Sequence, residues 1–179
     1  MPIARLAICN RWRRVPAGNQ GHKQGSPLPE NLNKQRILDY LKACYAGEIE
    51  RAASYYDDEI DFIAYAPIEI FPTLGQKRGK AAMTASLEEM TRQYSPIEYE
   101  VTSIVAEDDG VAVMLDVRMC ARGGDRVINV QIANFYTMRH GRITIYRQFM
   151  DSFDAVQQKL RRDLVDELKK PPGSAGSPA

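Results

Sequence analysis

The stretch that most limits what this chain can fold into is Val127 to Asp151, VINVQIANFYTMRHGRITIYRQFMD. Two long apolar-rich runs are joined by the tight turn Arg139-His140-Gly141-Arg142 and stopped by an aspartate suited to open a helix. That pattern predicts the last hairpin of a curved sheet. The rest of the chain must then supply strands to extend the sheet and helices to cover it.

Upstream, Asn31 or Asn33 is placed to cap a helix whose apolar positions Ile37, Leu38, Leu41, Cys44 and Tyr45 recur at helical spacing and whose end falls near Gly47. A short second helix follows, with Ile49, Ala52, Ala53 and Tyr56 on one face, and the acidic run YYDDEID ends it. A strand is predicted over about 60–65. Pro67 and Pro72 make the next stretch a loop, and Arg78-Gly79-Lys80 leads into a third helix with Met83, Leu87, Met90 and Tyr94 on one face.

Pro96 restarts the chain as extended structure. Residues 97–106, a turn over 107–110, residues 111–121, a turn over 122–125 and the closing hairpin read as a four-stranded antiparallel meander. Asp151 or Ser152 then caps a last helix with Phe153, Val156, Leu160, Leu164 and Leu168 in register, running to Pro171.

Composition narrows the function classes. With 179 residues, 44% of them hydrophobic, the chain is sized for one domain that needs no metal or disulfide staple. Cys9, Cys44 and Cys120 form no C-x-x-C pair, so neither a zinc site nor a disulfide framework is indicated, and reduced thiols fit a cytoplasmic protein. Five basic side chains and no acid in Met1–Pro29 leave residues 30–179 at net −4 from a whole-chain +1, which argues against a nucleic-acid footprint on the domain. No apolar run approaches the ~20 residues of a membrane span.

The basic N-terminal segment permits three readings: a targeting segment, an arm for nucleic acid or membrane, or a disordered extension. Its apolar piece IARLAIC precedes the arginines, the wrong order for a secretory signal. Residues 1–30 are taken as a disordered extension, residues 31–170 as the domain, and 171–179, rich in Pro, Gly and Ser, as a disordered tail.

The order helix, helix, strand, helix, four antiparallel strands resembles the cone-shaped NTF2-like α+β fold. Arg78-Gly79, HGRI at 140–143 and YRQFMD at 146–151 are similar to its SnoaL-like and ketosteroid-isomerase-like branch, over about residues 31–165. The resemblance implies a curved, mostly antiparallel sheet wrapped by three N-terminal helices, plus a C-terminal helix, around a mostly apolar pocket. It leaves function open, because isomerases, polyketide cyclases, epoxide hydrolases, dehydratases and plain binding proteins share this fold.

It also implies that Thr144, Tyr146, Gln148 and Met150 point inward. The epoxide hydrolases that this chain resembles use an Asp-Arg-Asp set, whose positions fall here on Gln148, Leu115 and Val117, none of which can move a proton. The polyketide cyclases place an acid-base aspartate at what is again Gln148. Steroid isomerases carry a base before a proline at the end of the first strand, where this chain reads AYAP. Tyr65 there is a hydrogen-bond donor rather than a base, its ordinary pKa being about 10.

Alternation of side chains along each strand sorts the remaining candidates. Asp61, with Ile63 and Tyr65, is expected on the inward set of the first strand, as a displaced general base or as the last solvated acid of its cluster. Val111, Val113, Leu115 and Val117 form a core face that leaves Asp116 and Arg118 outside. Ile132, Asn134, Tyr136 and Met138 should face inward, with Asn134 touching a ligand or satisfying a buried backbone group. His22 and His140 have no catalytic or metal partner at a useful spacing, and no phosphate loop or nucleophile elbow is present.

The resulting expectation is a pocket for a small hydrophobic carbonyl compound with no cofactor and no metal. Tyr65, Asn134, Tyr136, Tyr146 and Gln148 would be ligand contacts and Asp61 a base in an isomerase-like or cyclase-like enzyme. The alternative is a non-catalytic binding or dimerisation module. Phe135, Ile145 and Phe149 make the outward sheet face apolar enough to predict a homodimer through it, with no nucleic-acid or membrane partner.

Overall fold

A computed structural model describes residues 29–169. The expected basic extension and the C-terminal tail lie almost wholly outside the described residues. The elements run α1 (Pro29–Tyr45), α2 (Ile49–Ala53), β1 (Tyr56–Tyr65), β2 (Gly75–Arg78), α3 (Lys80–Gln93), β3 (Tyr94–Glu107), β4 (Gly110–Ala121), β5 (Val127–Arg139), β6 (Arg142–Met150), α4 (Ser152–Leu160) and α5 (Leu164–Leu168). Among the described residues no helix is long and apolar enough to cross a membrane.

The six strands form one sheet in the order β2-β1-β6-β5-β4-β3. β3 to β6 are the expected antiparallel meander, and β1 joins its free edge parallel to β6. The result is the expected α+β architecture, a curved sheet whose inner face is covered by the helices. β4 and β5 show why the alternation was readable: Val111, Val113, Leu115 and Val117, and Ile128, Val130, Ile132, Asn134, Tyr136 and Met138, are all buried. Asp116 and Arg118 are exposed on the other face, where Arg118 donates to Glu98 at 3.1 Å.

The closing turn requires its glycine. His140 and Gly141 have φ of 51° and 73°, the left-handed pair of a tight hairpin turn. Arg36 from α1 lies directly over Gly141, so that a Cβ there would meet its guanidinium carbon at 2.7 Å. The same guanidinium donates to the Gly141 carbonyl at 3.2 Å, tying α1 to the hairpin.

Several boundaries differ from expectation. α1 begins at Pro29, so Asn31 and Asn33 fall inside the helix, and Asn33 donates its amide to the Asp108 carbonyl at 3.2 Å. The acidic cluster does not end a helix. It lies in β1, which begins at Tyr56, a fully buried residue sharing a 2.9 Å hydrogen bond between its hydroxyl and that of Tyr40. Tyr94 begins β3 rather than ending the apolar face of α3.

Within the expected loop, Gly75–Arg78 forms a short strand on the β1 edge. The last helix is two pieces: Arg161 takes a left-handed conformation, φ 55° and ψ 39°, and Asp163 caps α5 by accepting from the Asp166 amide at 3.0 Å. Phe153, Leu160 and Leu168, expected on a buried stripe, are exposed, and Ala155 and Val156 are the α4 residues that pack on the core.

The phase of β1 is also reversed. Ile60, Phe62 and Ala64 are buried, whereas Tyr65 is 51% exposed and Asp61 and Ile63 share its side of the sheet. Pairing with β6 sets this phase: Phe62 lies beside Tyr146 and Ala64 beside Gln148, so these residues share the inner face. In β6 itself, Tyr146, Gln148 and Met150 follow the expected phase, but an extra residue at Thr144 bulges the strand and turns Ile143 into the core.

Candidate functional site

The inner face encloses a cavity of about 120 Å³ between the sheet, α1, α3, α4 and the loop before β2. An apolar cavity of roughly 150 Å³ holds a benzene molecule; this one is somewhat smaller and partly open, so it takes a single ring with part of the ligand at its mouth. Most of its wall is apolar: Phe62, Phe71, Met83, Leu87, Val117 and Ile132 among others. The polar contributions come from Tyr40, Cys44, Tyr45, Thr73, Ser86, Gln93, Tyr94, Tyr146, Gln148 and Lys159.

Tyr146 and Gln148, two residues apart on β6, form the polar feature of the sheet wall. The Tyr146 hydroxyl donates to Gln148 Oε1 at 3.1 Å, which leaves the Gln148 amide nitrogen without a protein partner among the described residues. Tyr146 sits in an aromatic cluster, its ring 4.8 Å from Phe62, 4.5 Å from Tyr136 and 6.5 Å from Tyr40.

Burial pushes the Tyr40, Tyr56, Tyr136 and Tyr146 hydroxyls well above the ordinary tyrosine value, because a phenolate loses its hydration there. These groups are therefore neutral near pH 7, hydrogen-bond donors and acceptors but not bases. Burial likewise pushes the Cys44 thiol up to about 12, and as a thiol it is a poor nucleophile.

The expected site residues separate into three groups. Tyr146 and Gln148 line the cavity. Asn134 and Tyr136 lie on the same face further along β5, past Ile132, and do not reach the cavity wall. Asn134 is wholly buried, yet neither its amide oxygen nor its amide nitrogen has a partner among the described residues, so it satisfies no backbone group there.

Tyr65 and Asp61 point away from the cavity, because β1 runs in the opposite phase to the one its sequence suggests. Tyr65 stacks on Phe149 with centroids 4.5 Å apart and planes 9° from parallel. The Asp61 carboxylate accepts from Arg147 Nη2 at 2.5 Å, and Arg147 Nη1 donates to the Asp61 carbonyl at 2.7 Å. Asp61 is thus neither a pocket base nor a free member of the acidic cluster; it anchors β1 to β6 on the outer face. Among the described residues, no carboxylate and no histidine lines the cavity. Among the described residues, no three His, Cys, Asp or Glu side chains converge to hold a metal ion.

Sequence reasoning missed Tyr94, Gln93 and Lys159, and the wall supplied by the loop before β2. One signal for Lys159 was present: it follows Ala155 by four residues, so a helix that buries Ala155 presents Lys159 on the same face. The loop carries no periodicity, and only its apolar residues between prolines hint that it packs inward.

A curved sheet wrapped by helices around an apolar cavity with a few polar side chains defines the NTF2-like class of α+β pocket proteins. The chain belongs to the SnoaL-like family within it, residues 37–146 matching the SnoaL-like domain. It is similar to a protein from Rhodopseudomonas palustris assigned as an isomerase, with 31% identity, coverage of 75% of this chain and 100% of that one, and a TM-score of 0.67. A protein from Jannaschia sp. CCS1 assigned as a SnoaL-like polyketide cyclase matches at 13% identity over 79% of this chain and 100% of its own, with a TM-score of 0.66. An LEH-like epoxide hydrolase from M. tuberculosis matches at 16% identity over 78% and 96%, with a TM-score of 0.62. The last two likenesses are of fold alone. No curated protein matches the chain in sequence.

Proposed function

We propose that the chain binds a small apolar carbonyl compound in this cavity, with the ligand oxygen accepting from the Gln148 amide and from the Tyr146 hydroxyl once that hydroxyl turns from Gln148. The observation that carries the proposal is the make-up of the wall: apolar surface open at one side to a single ring, a donor pair at one point, and no carboxylate among the described residues. A pocket of this kind orients a carbonyl and stabilises developing negative charge on its oxygen. Among the described residues it has no carboxylate or imidazole to take a proton from carbon.

A second reading is isomerase chemistry, favoured by the Rhodopseudomonas palustris relative. With no carboxylate in the wall among the described residues, the part played by these residues would be polarisation of the carbonyl, with Asp61 on the opposite face of the sheet. Assembly belongs to the same proposal. The exposed aromatic side chains Tyr65, Phe135 and Phe149, with Ile145, form the surface through which two copies would pair, leaving the cavity on the other face untouched.

Titration of acetophenone into the full-length protein, followed by calorimetry, tests the binding. Gln148→Leu and Tyr146→Phe should each weaken it about 5- to 10-fold, the loss of one net hydrogen bond of roughly 1 kcal/mol. Equal binding by wild type and Gln148→Leu overturns the assignment. Deuterium incorporation next to the carbonyl in heavy water, above the rate without protein, would establish the isomerase reading, and its absence leaves binding alone.

A further inference from the structure

Among the described residues the cavity wall has one charge, and nothing in the carbonyl reading uses it. Lys159, in the last turn of α4, lines the cavity together with Tyr94 at the start of β3. Its Nζ donates to the Tyr94 hydroxyl at 2.8 Å and lies 5.2 Å from the centre of the Tyr94 ring. Tyr94 is itself buried.

An ammonium group has three protons to donate, and one is used here. The Tyr94 hydroxyl accepts from Lys159, so its own proton is free to point elsewhere. Together they present two or more unused donors and a positive charge at one place on an otherwise apolar wall. Lys159 has no carboxylate partner among the described residues: Glu89 of α3 is engaged by Arg92 and Gln93, and Asp154 of α4 accepts from Gln158. The Lys159 stem lies along the apolar wall and its ammonium, paired with no acid among the described residues, is left to meet an anion at the same place as the Tyr94 hydroxyl.

We infer that Lys159 and Tyr94 form the anion-recognising end of the cavity, and that the ligand is a one-ring organic carboxylate whose charge pairs with Lys159. This rests on the cavity being the ligand site, and it adds the charge to the apolar, carbonyl-bearing body proposed above. The ring occupies the space between Phe62, Leu87 and Val117, and the carboxylate accepts from the ammonium and from the tyrosine hydroxyl. A lysine that merely tethers α4 to β3 through Tyr94 would give no preference between an anionic and a neutral ligand of one size.

Benzoate and acetophenone separate these cases, because they share a ring and differ in charge. Calorimetric titration of each is made into wild type, Lys159→Met and Lys159→Arg. The expected result is benzoate binding that falls at least tenfold in Lys159→Met, is largely kept in Lys159→Arg and weakens with added salt, the loss in Lys159→Met being at least five times that of acetophenone. Lys159→Arg also guards against misfolding, since a variant damaged only by loss of packing would lose both ligands. If benzoate binds wild type and Lys159→Met alike, or fails to bind while acetophenone binds, the anion site is overturned and the carbonyl reading survives. If benzoate binds in a Lys159-dependent way and acetophenone does not bind, the anion site stands and the carbonyl reading falls. If neither binds, both are overturned.

Discussion

On β6, Tyr146 and Gln148 point into the cavity, while Arg147 and Phe149, each one residue out of step, point away from it. The inner face is buried under helices and holds neutral hydrogen-bonding groups whose hydroxyls burial keeps protonated. The outer face carries an ion pair between Asp61 and Arg147 and an uncovered row of aromatic rings, Tyr65 on Phe149 and Phe149 edge-on to Phe135 at 5.9 Å. One backbone thus serves a pocket and a surface, and a side chain's chemistry depends on the phase of its strand before it depends on its type. Asp61 shows the point: a carboxylate with the composition of a base becomes a strand anchor because it stands on the wrong side.

The difference between the faces should be largest in packing. Leu115 on β4 is fully buried, whereas Ile145 on β6 is 39% exposed. Leu115→Ala should cost about 2–5 kcal/mol of folding stability in urea unfolding, from lost transfer free energy plus the cavity left behind. Ile145→Ala should cost under about 1 kcal/mol under conditions that keep the protein monomeric. Equal losses would mean that the outer face is as well covered as the inner one.

The next comparison concerns what covers the outer face. In the proposed homodimer, Phe135→Asp places a charge where aromatic rings meet and should weaken association by roughly 100-fold or more, equivalent to about 2.7 kcal/mol. Sedimentation at micromolar concentration should show wild type near twice the chain mass and the variant near it. A wild-type protein at the single-chain mass would remove the dimer from the proposal and leave the aromatic row unexplained.

How much of this was legible depended on contrast between faces. β4 and β5 alternate apolar with polar or charged side chains, so their phase can be read from Val111 to Val117 and from Ile132 to Met138 alone. β1 offers Ile60, Phe62 and Ala64 on one side and Asp61, Ile63 and Tyr65 on the other, and both sets are apolar enough to be buried. Its phase is decided by pairing with β6, some eighty residues away in the chain, which no local pattern encodes. The break in the last helix was hidden by the opposite fault, because Leu160, Leu164 and Leu168 keep helical spacing straight through the left-handed turn at Arg161. Tyr146 and Gln148 were placed from a motif, while Lys159 needed the packing of α4 to be known.

Asn134 tests the inner face from within. Both of its amide atoms are buried without a partner among the described residues, and an unpaired buried polar group costs about 1–3 kcal/mol. Asn134→Leu, which keeps the volume and removes the amide, should therefore raise stability by about 1 kcal/mol, seen as a higher urea midpoint with unchanged slope. A lower midpoint would instead mean that a buried water satisfies the amide.

The smallest effect should come from the residue that a sequence reading makes most tempting as a catalyst. Asp61→Asn removes the charge that pairs with Arg147, but an asparagine oxygen can still accept from the guanidinium, and the bond from Arg147 to the backbone carbonyl of residue 61 is untouched. Both side chains are partly solvated, at 25% and 30% exposure, so screening limits the loss to about 1 kcal/mol. Acetophenone affinity should stay within twofold of wild type, because the substitution lies across the sheet from the cavity. A tenfold loss of affinity in Asp61→Asn would mean that the two faces are coupled through Arg147 and its neighbours on β6, Tyr146 and Gln148, and the separation between pocket and surface would fail at that strand.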